Sequence, residues 1–136
     1  YAGFGDAGCW FTINPNYKTI NVKNQINDAE SIYSYYKKLI QLRKNYPIIV
    51  YGDFHPLYEE SEKNYCYIRE LGKEKLLVLC SFSEEEQLVE LPDEFFGRKG
   101  ITLISNYDKL IDLNNCIEDE KTVLLKAYEA RVIYYN

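Results

Sequence analysis

One segment of this sequence repeats with a helical period, and almost everything after it reads as strand. Residues 28–45 carry Ile32, Tyr35, Tyr36, Leu39 and Leu42 at three- and four-residue steps, which gathers them into one apolar stripe on a helix. Asp28 is the expected N-cap, and Glu30 falls in the first turn, where a carboxylate suits the helix dipole. Lys37, Lys38, Arg43 and Lys44 load the opposite face and the last turn, and Pro47 stops the helix. The chain offers no second helix to bury the stripe. A helical bundle is therefore excluded, and the stripe is expected to lie on the strand-built remainder or on a second copy of the chain.

The remainder divides into short runs separated by polar turns. Residues 48–51 are apolar, and Gly52-Asp53 breaks the run. His55-Pro56 reads as a turn region. In 64–71, Tyr65, Tyr67, Arg69 and Leu71 alternate with Cys66, Ile68 and Glu70, and Gly72-Lys73-Glu74 makes a hairpin-like turn. Residues 75–82 are nearly continuously apolar. Runs at 87–91, 101–105, 122–126 and 130–135 complete the set. Glu59-Glu60, Glu84-Glu85-Glu86 and Glu118-Asp119-Glu120 sit between runs, and like charges packed together favour solvated loops. This order predicts a mainly β chain with one α-helix, its strands in an antiparallel sandwich over 51–136. Ahead of the helix, 1–27 reads as irregular, with Gly3, Gly5 and Gly8 at its start and Asn14-Pro15-Asn16 as a turn. A stretch of that length without structure suggests a loop laid over something.

Composition narrows the function. At 136 residues the chain is too short for a complete (β/α)₈ barrel, which needs roughly 200 or more. A net charge of −5 and a pI near 5.0 argue against nucleic acid, which would want a basic stripe. No apolar run is long enough to span a membrane, and no signal-peptide pattern opens the chain. Cys9, Cys66, Cys80 and Cys116 form no closely spaced pair, and His55 is the only histidine, so no metal site is expected. An even cysteine count permits disulfides, but buried thiols of a cytoplasmic protein are the better reading. There is no methionine, and Tyr1 opens the chain, so a processed protein or a piece of something longer is expected.

Catalytic signals are sparse. His55 has no neighbouring nucleophile motif, and no nucleophile elbow, P-loop or dinucleotide fingerprint occurs. Carboxylates are plentiful, but nothing places two of them in an apolar cleft. Trp10, Asn14, Asn16 and Tyr17 form the one candidate binding surface: a ring to lie against a pyranose, with amides to bond its hydroxyls. The competing reading is that Trp10 and Tyr17 only anchor the loop.

The order of features then carries a resemblance. Ala2-Gly3-Phe4, Trp10, Asn14-Pro15-Asn16-Tyr17 and Ile20-Asn21-Val22 come first. The helix string from Tyr35 to Lys44 and the run from Pro47 to Asp53 follow. The run from Lys75 to Ser83 and Tyr128-Glu129-Ala130-Arg131-Val132 close the series. In these the chain resembles the C-terminal part of bacterial α-glucosidases of glycoside hydrolase family 13, in the α-amylase superfamily. Its α-1,6-specific members stand foremost; trehalose-6-phosphate hydrolases and dextran glucosidases are near alternatives. Tyr1, Cys9 and Phe11 depart from the family pattern, and 109–121 matches weakly.

The resemblance implies that 1–50 is a remnant of the catalytic barrel, the loop after its eighth strand and its last helix. Residues 51–136 would then be the terminal β-sandwich, called domain C. It implies a retaining mechanism with two carboxylates about 5 Å apart. Both would lie upstream of Tyr1, and no position here matches them. The expected partners are the parent catalytic barrel, and through it an oligosaccharide; no cofactor is implied. Trp10, Asn14, Asn16 and Tyr17 would line only the rim of the parent's site. An independent sandwich that binds carbohydrate or protein without hydrolysis is the alternative.

Overall fold

From Asp53 onward the alternation in the sequence becomes hydrogen-bonded ladders. The computed structural model describes Gly8, residues 12–107 and residues 121–136. Among these, the strands are β1 (Asp53–Leu57), β2 (Asn64–Leu71), β3 (Glu74–Ser81), β4 (Gln87–Glu90), β5 (Ile101–Ser105), β6 (Thr122–Leu125) and β7 (Ala130–Tyr135). They pair antiparallel in a five-stranded sheet of order β1-β2-β3-β7-β5 and a two-stranded sheet β4-β6. Gly72 turns β2 into β3 with a φ of 64°, a left-handed conformation that a Cβ disfavours.

Parity along the strands builds two apolar clusters. Cys66 and Ile68 of β2, Leu77 and Leu79 of β3, and Ile133 and Tyr135 of β7 point inward. They meet Val89 of β4, Val123 and Leu125 of β6, and Leu91 and Phe95, which closes the sandwich core. The alternate residues Leu76 and Val78 face outward. They cluster with Ile48 and with half-buried Tyr46, Ile49, Tyr67, Leu71, Cys80, Leu103, Val132 and Tyr134. Cys66 and Cys80 are free thiols that belong to different clusters, on opposite faces of the sheet, and burial raises the pKa of both. Cys9 and Cys116 lie outside the described residues.

Three expectations are corrected. Residues 48–51 form a helical turn, α3 (Ile48–Tyr51), instead of a strand. Periodicity cannot separate a short buried helix from a short buried strand. Here Pro47, with φ −54° and ψ −30°, already holds the backbone helical, and its carbonyl accepts from the amides of Val50 and Tyr51. His55 and Pro56 lie inside β1 instead of a turn, because β1 is an edge strand, where proline's missing N–H costs no ladder bond. The long helix, α2, runs Ile32–Asn45 and its cap is Ser31 instead of Asp28: the amide of Ser34 donates to Ser31 Oγ at 3.2 Å. Asp28 is used just outside the helix, its carbonyl accepting from Ser31 Oγ at 2.7 Å and Ser34 Oγ at 2.6 Å.

The chain divides into two compact units, Tyr1–Gln41 and Leu42–Asn136. The described part of the first is less irregular than expected. It holds a 3₁₀ turn, Pro15–Lys18, and a short helix, α1 (Val22–Gln25), ahead of α2. On α2, Ile32 is 70% exposed and Tyr36 62%, whereas Tyr35, Leu39 and Leu42 are half-buried. The solvated-loop reading fits Glu59-Glu60 and Glu84-Glu85-Glu86, which are exposed; Glu118-Asp119-Glu120 lies outside the described residues.

The end of β7 makes the fold sensitive to alkali. Tyr134 donates to Glu74 Oε1 at 2.7 Å, and that bond, with burial added, pushes its pKa up to about 12. Burial alone pushes Tyr135 up to about 12. An unfolded tyrosine ionises near 10.0, so both groups favour the folded state fully below that pH, and the stabilisation is lost as pH rises toward about 12. An ultraviolet titration should show Tyr134 and Tyr135 ionising last and together with unfolding. In the double variant Tyr134→Phe, Tyr135→Phe that last phase should shrink, leaving Tyr58 and Tyr67, which burial also raises. A titration complete near pH 10 with the fold intact would contradict the packing described.

Candidate functional site

The asparagine-rich segment before α2 is held largely by its own amides. Asn14 Oδ1 accepts from the Asn16 amide at 3.2 Å and caps the 3₁₀ turn. Asn21 Oδ1 accepts from the Asn24 amide at 3.0 Å, and Asn21 Nδ2 donates to the Tyr17 carbonyl at 2.9 Å. Asn24 Nδ2 donates to the Thr19 carbonyl at 2.8 Å. Of the four candidate rim residues, the structure places Asn14, Asn16 and Tyr17 together on one exposed turn. Trp10 lies outside the described residues. Asn14 spends its oxygen on capping. Asn16 and Tyr17 are both exposed. Such a turn can orient hydroxyls; it cannot break a glycosidic bond.

Carboxylates elsewhere serve the fold. Glu70 and Glu94 converge on Lys75, with Glu70 Oε2 at 3.0 Å from Nζ, and their side chains are 39% and 40% exposed. A retaining pair must flank the scissile bond, whereas these two carboxylates are both spent on one lysine. Glu129 is fully buried, yet Arg131 Nη2 lies 2.6 Å from its Oε1 and Ser105 Oγ and the Lys126 amide donate to it as well. His55 is exposed on the edge strand. Among the described residues, no three metal-ligating side chains converge.

Sequence reasoning missed the joint between α3 and the sandwich. Arg69 of β2 donates through Nε to the Ile48 carbonyl at 3.1 Å and through Nη2 to the Gly52 carbonyl at 2.7 Å. Gly52 has no room for a side chain, since a Cβ would fall 2.6 Å from the Ile48 carbonyl oxygen and 3.2 Å from that of Glu70. The legible signal was Arg69 itself, an arginine on the otherwise uncharged outward register of β2.

Two family models match the chain, one on each side of this joint. A model described as the α-amylase catalytic domain matches residues 1–52, and one described as the α-amylase SusG C-terminal domain matches residues 65–132. The chain belongs to the α-amylase family. It is 45% identical over 132 residues to an oligo-1,6-glucosidase of Bacillus cereus, covering 97% of this chain and 23% of that protein. Against an oligo-1,6-glucosidase of Parageobacillus thermoglucosidasius it is 45% identical, covering 96% and 22%. A trehalose-6-phosphate hydrolase of Bacillus licheniformis superposes with a TM-score of 0.77 at 36% identity, over 93% of this chain and 22% of that one. An isomaltulose synthase of Klebsiella sp. LX3 gives 0.79 at 31%, with the same coverage. The chain thus spans under a quarter of the length of the α-amylase family relatives it matches. No helix among its described residues is long and apolar enough to cross a membrane.

Proposed function

We propose that this chain is the C-terminal portion of a cytoplasmic α-glucosidase that releases terminal α-1,6-linked glucose from oligosaccharides with retention of configuration, and that the chain by itself is inactive. The observation that carries the reading is its 45% identity to oligo-1,6-glucosidases across nearly its whole length. Retaining hydrolysis needs an ionised nucleophile and a protonated acid about 5 Å apart across the bond. Glu70 and Glu94 are spent together on Lys75, and Glu129 is spent on Arg131, fully buried with no room for a substrate, so none of them forms such a pair. Both catalytic carboxylates would come from the parent barrel. Trp10, Asn14, Asn16 and Tyr17 would form at most the rim of its site, where the Asn16 amide and Tyr17 hydroxyl could bond sugar hydroxyls. The similarity to a trehalose-6-phosphate hydrolase supports a second reading, in which the parent acts on a phosphorylated disaccharide.

The test uses two samples. One is the 136-residue chain. The other is the same chain joined behind the upstream three quarters of the Bacillus cereus relative, in place of its matching residues. The chain alone should leave an aryl α-glucoside intact, and the joined protein should hydrolyse it. Turnover by the chain alone, abolished by changing one of its own Asp or Glu residues, would overturn the reading.

A further inference from the structure

The turn that carries Asn16 and Tyr17 is fixed at its front, middle and back. At the front, Asn14 Oδ1 takes the Asn16 amide. In the middle, the Asn16 carbonyl accepts from the Thr19 amide at 2.9 Å, the Ile20 amide at 2.8 Å and Thr19 Oγ1 at 3.0 Å. At the back stand the carbonyls of Tyr17, Lys18 and Thr19, and the last carbonyls of a helical turn have no partner within it. Two asparagines reach back for them. Asn21 Nδ2 donates to the Tyr17 carbonyl at 2.9 Å and to the Lys18 carbonyl at 3.3 Å, and Asn24 Nδ2 donates to the Thr19 carbonyl at 2.8 Å. Asn21 also caps α1, its Oδ1 taking the Asn24 amide at 3.0 Å. One side-chain amide thus has two roles: its oxygen starts a helix and its nitrogen ties down the turn before it.

We propose that Asn21 and Asn24 are positioning residues for the substrate. They hold the Pro15–Lys18 turn in the one conformation that offers the Asn16 amide and the Tyr17 hydroxyl to the sugar units of an oligosaccharide beyond the one released. The inference deepens the reading above and rests on its rim residues, to which it adds two that touch no sugar. Capping α1 would need only the Asn21 oxygen, yet both Nδ2 groups are aimed out of that helix and onto three successive carbonyls of the turn. None of the four residues of the turn is buried, so hydrogen bonds and not a core give it its shape. A contact segment ordered in advance loses less freedom when a ligand arrives. Loosening it weakens ground-state and transition-state binding alike, which raises KM and leaves kcat.

The joined protein provides the test, with isomaltotriose and an aryl α-glucoside as substrates. Asn21→Asp separates the two roles, because a carboxylate caps a helix as well as an amide does but cannot donate to a carbonyl. It should raise KM for isomaltotriose about threefold or more, the worth of one lost hydrogen bond, with kcat and melting temperature little changed. KM for the aryl α-glucoside, which has no further sugar units, should move less. Asn24→Asp loses the bond to Thr19 and should act the same way, whereas Lys23→Ala, at an exposed position between the two, should do neither. Asn21→Asp with the kinetics of Lys23→Ala overturns the proposal, and so does a fall in kcat at unchanged KM. Asn16→Ala and Tyr17→Phe keep the claims apart. If they raise KM and Asn21→Asp does not, this inference alone falls. If all are silent while the joined protein hydrolyses isomaltotriose, the rim falls with it and the glucosidase reading stands. The free chain gives a measurement that needs no catalysis. There Asn21→Asp should speed hydrogen exchange of the Thr19 and Ile20 amides about tenfold and leave the Asn24 amide, which it still caps, unchanged. Exchange equal to that of the parent sequence at Thr19 and Ile20 overturns the proposal.

Discussion

Replacing Glu129 with alanine should cost about 3–5 kcal/mol, the range found when one partner of a buried ion pair is removed. Glu129 is fully buried at the start of β7. Its Oε1 accepts from Arg131 Nε at 2.8 Å, Arg131 Nη2 at 2.6 Å and Ser105 Oγ at 3.3 Å, and its Oε2 accepts from the Lys126 amide at 2.9 Å. Removing the carboxylate strands a guanidinium in a mostly buried place and frees a serine hydroxyl and a backbone amide at once. The neighbouring backbone has little reserve, because Tyr128 already sits at a φ of 53°. Domains of this size are held by only about 5–15 kcal/mol in total. Urea unfolding of Glu129→Ala should therefore show a midpoint cut by about a fifth or more. Glu129→Gln keeps the shape and several bonds and should fall between. Glu85→Ala, at an exposed acidic turn, should stay within about 0.5 kcal/mol of the parent. A Glu129→Ala protein as stable as Glu85→Ala would mean that the cluster carries no stability.

That cluster shows where sequence reading reaches and where it stops. Glu129 and Arg131 are two residues apart in an apolar run, so an extended backbone puts both on one side, and a pair was legible in principle. Their burial was not, because it depends on Ser105, which is 24 residues away and joins through the β5-β7 ladder. The strands themselves were readable. The run 101–105 and the run 130–135 have the predicted ends, and the inward set Cys66 and Ile68 follows from alternation alone. Two of the three failures fall near residue 52, between the stretches that the two family models match. There Ile48–Tyr51 is too short for its period to show, and Pro56 is acceptable only because β1 turned out to be an edge. The turn at Pro15–Lys18 was legible in Asn14-Pro15-Asn16, a local signal. What a turn binds is not local, because it depends on groups brought to it from elsewhere in a fold.

Leu77→Ala should cost about 2–5 kcal/mol. Leu77 is fully buried on the central strand, with Ile68 opposite on β2 and Ile133 opposite on β7. Both sheets close over it, so the cavity left by its methyl groups cannot collapse, and the loss includes a cavity contribution as well as transfer. Leu76, one residue earlier, is also buried, but on the outward face under Tyr46, Ile48 and Ile49. Its cover is a single helical turn that can settle inward, so Leu76→Ala should cost less. Leu88 is 66% exposed on β4, and Leu88→Ala should change stability by no more than about 0.5 kcal/mol. The expected order of urea midpoints is Leu88→Ala above Leu76→Ala above Leu77→Ala. A one-residue slip of β3 would exchange the faces of Leu76 and Leu77 and invert their order. An inverted order would therefore overturn the register on which the sandwich core depends.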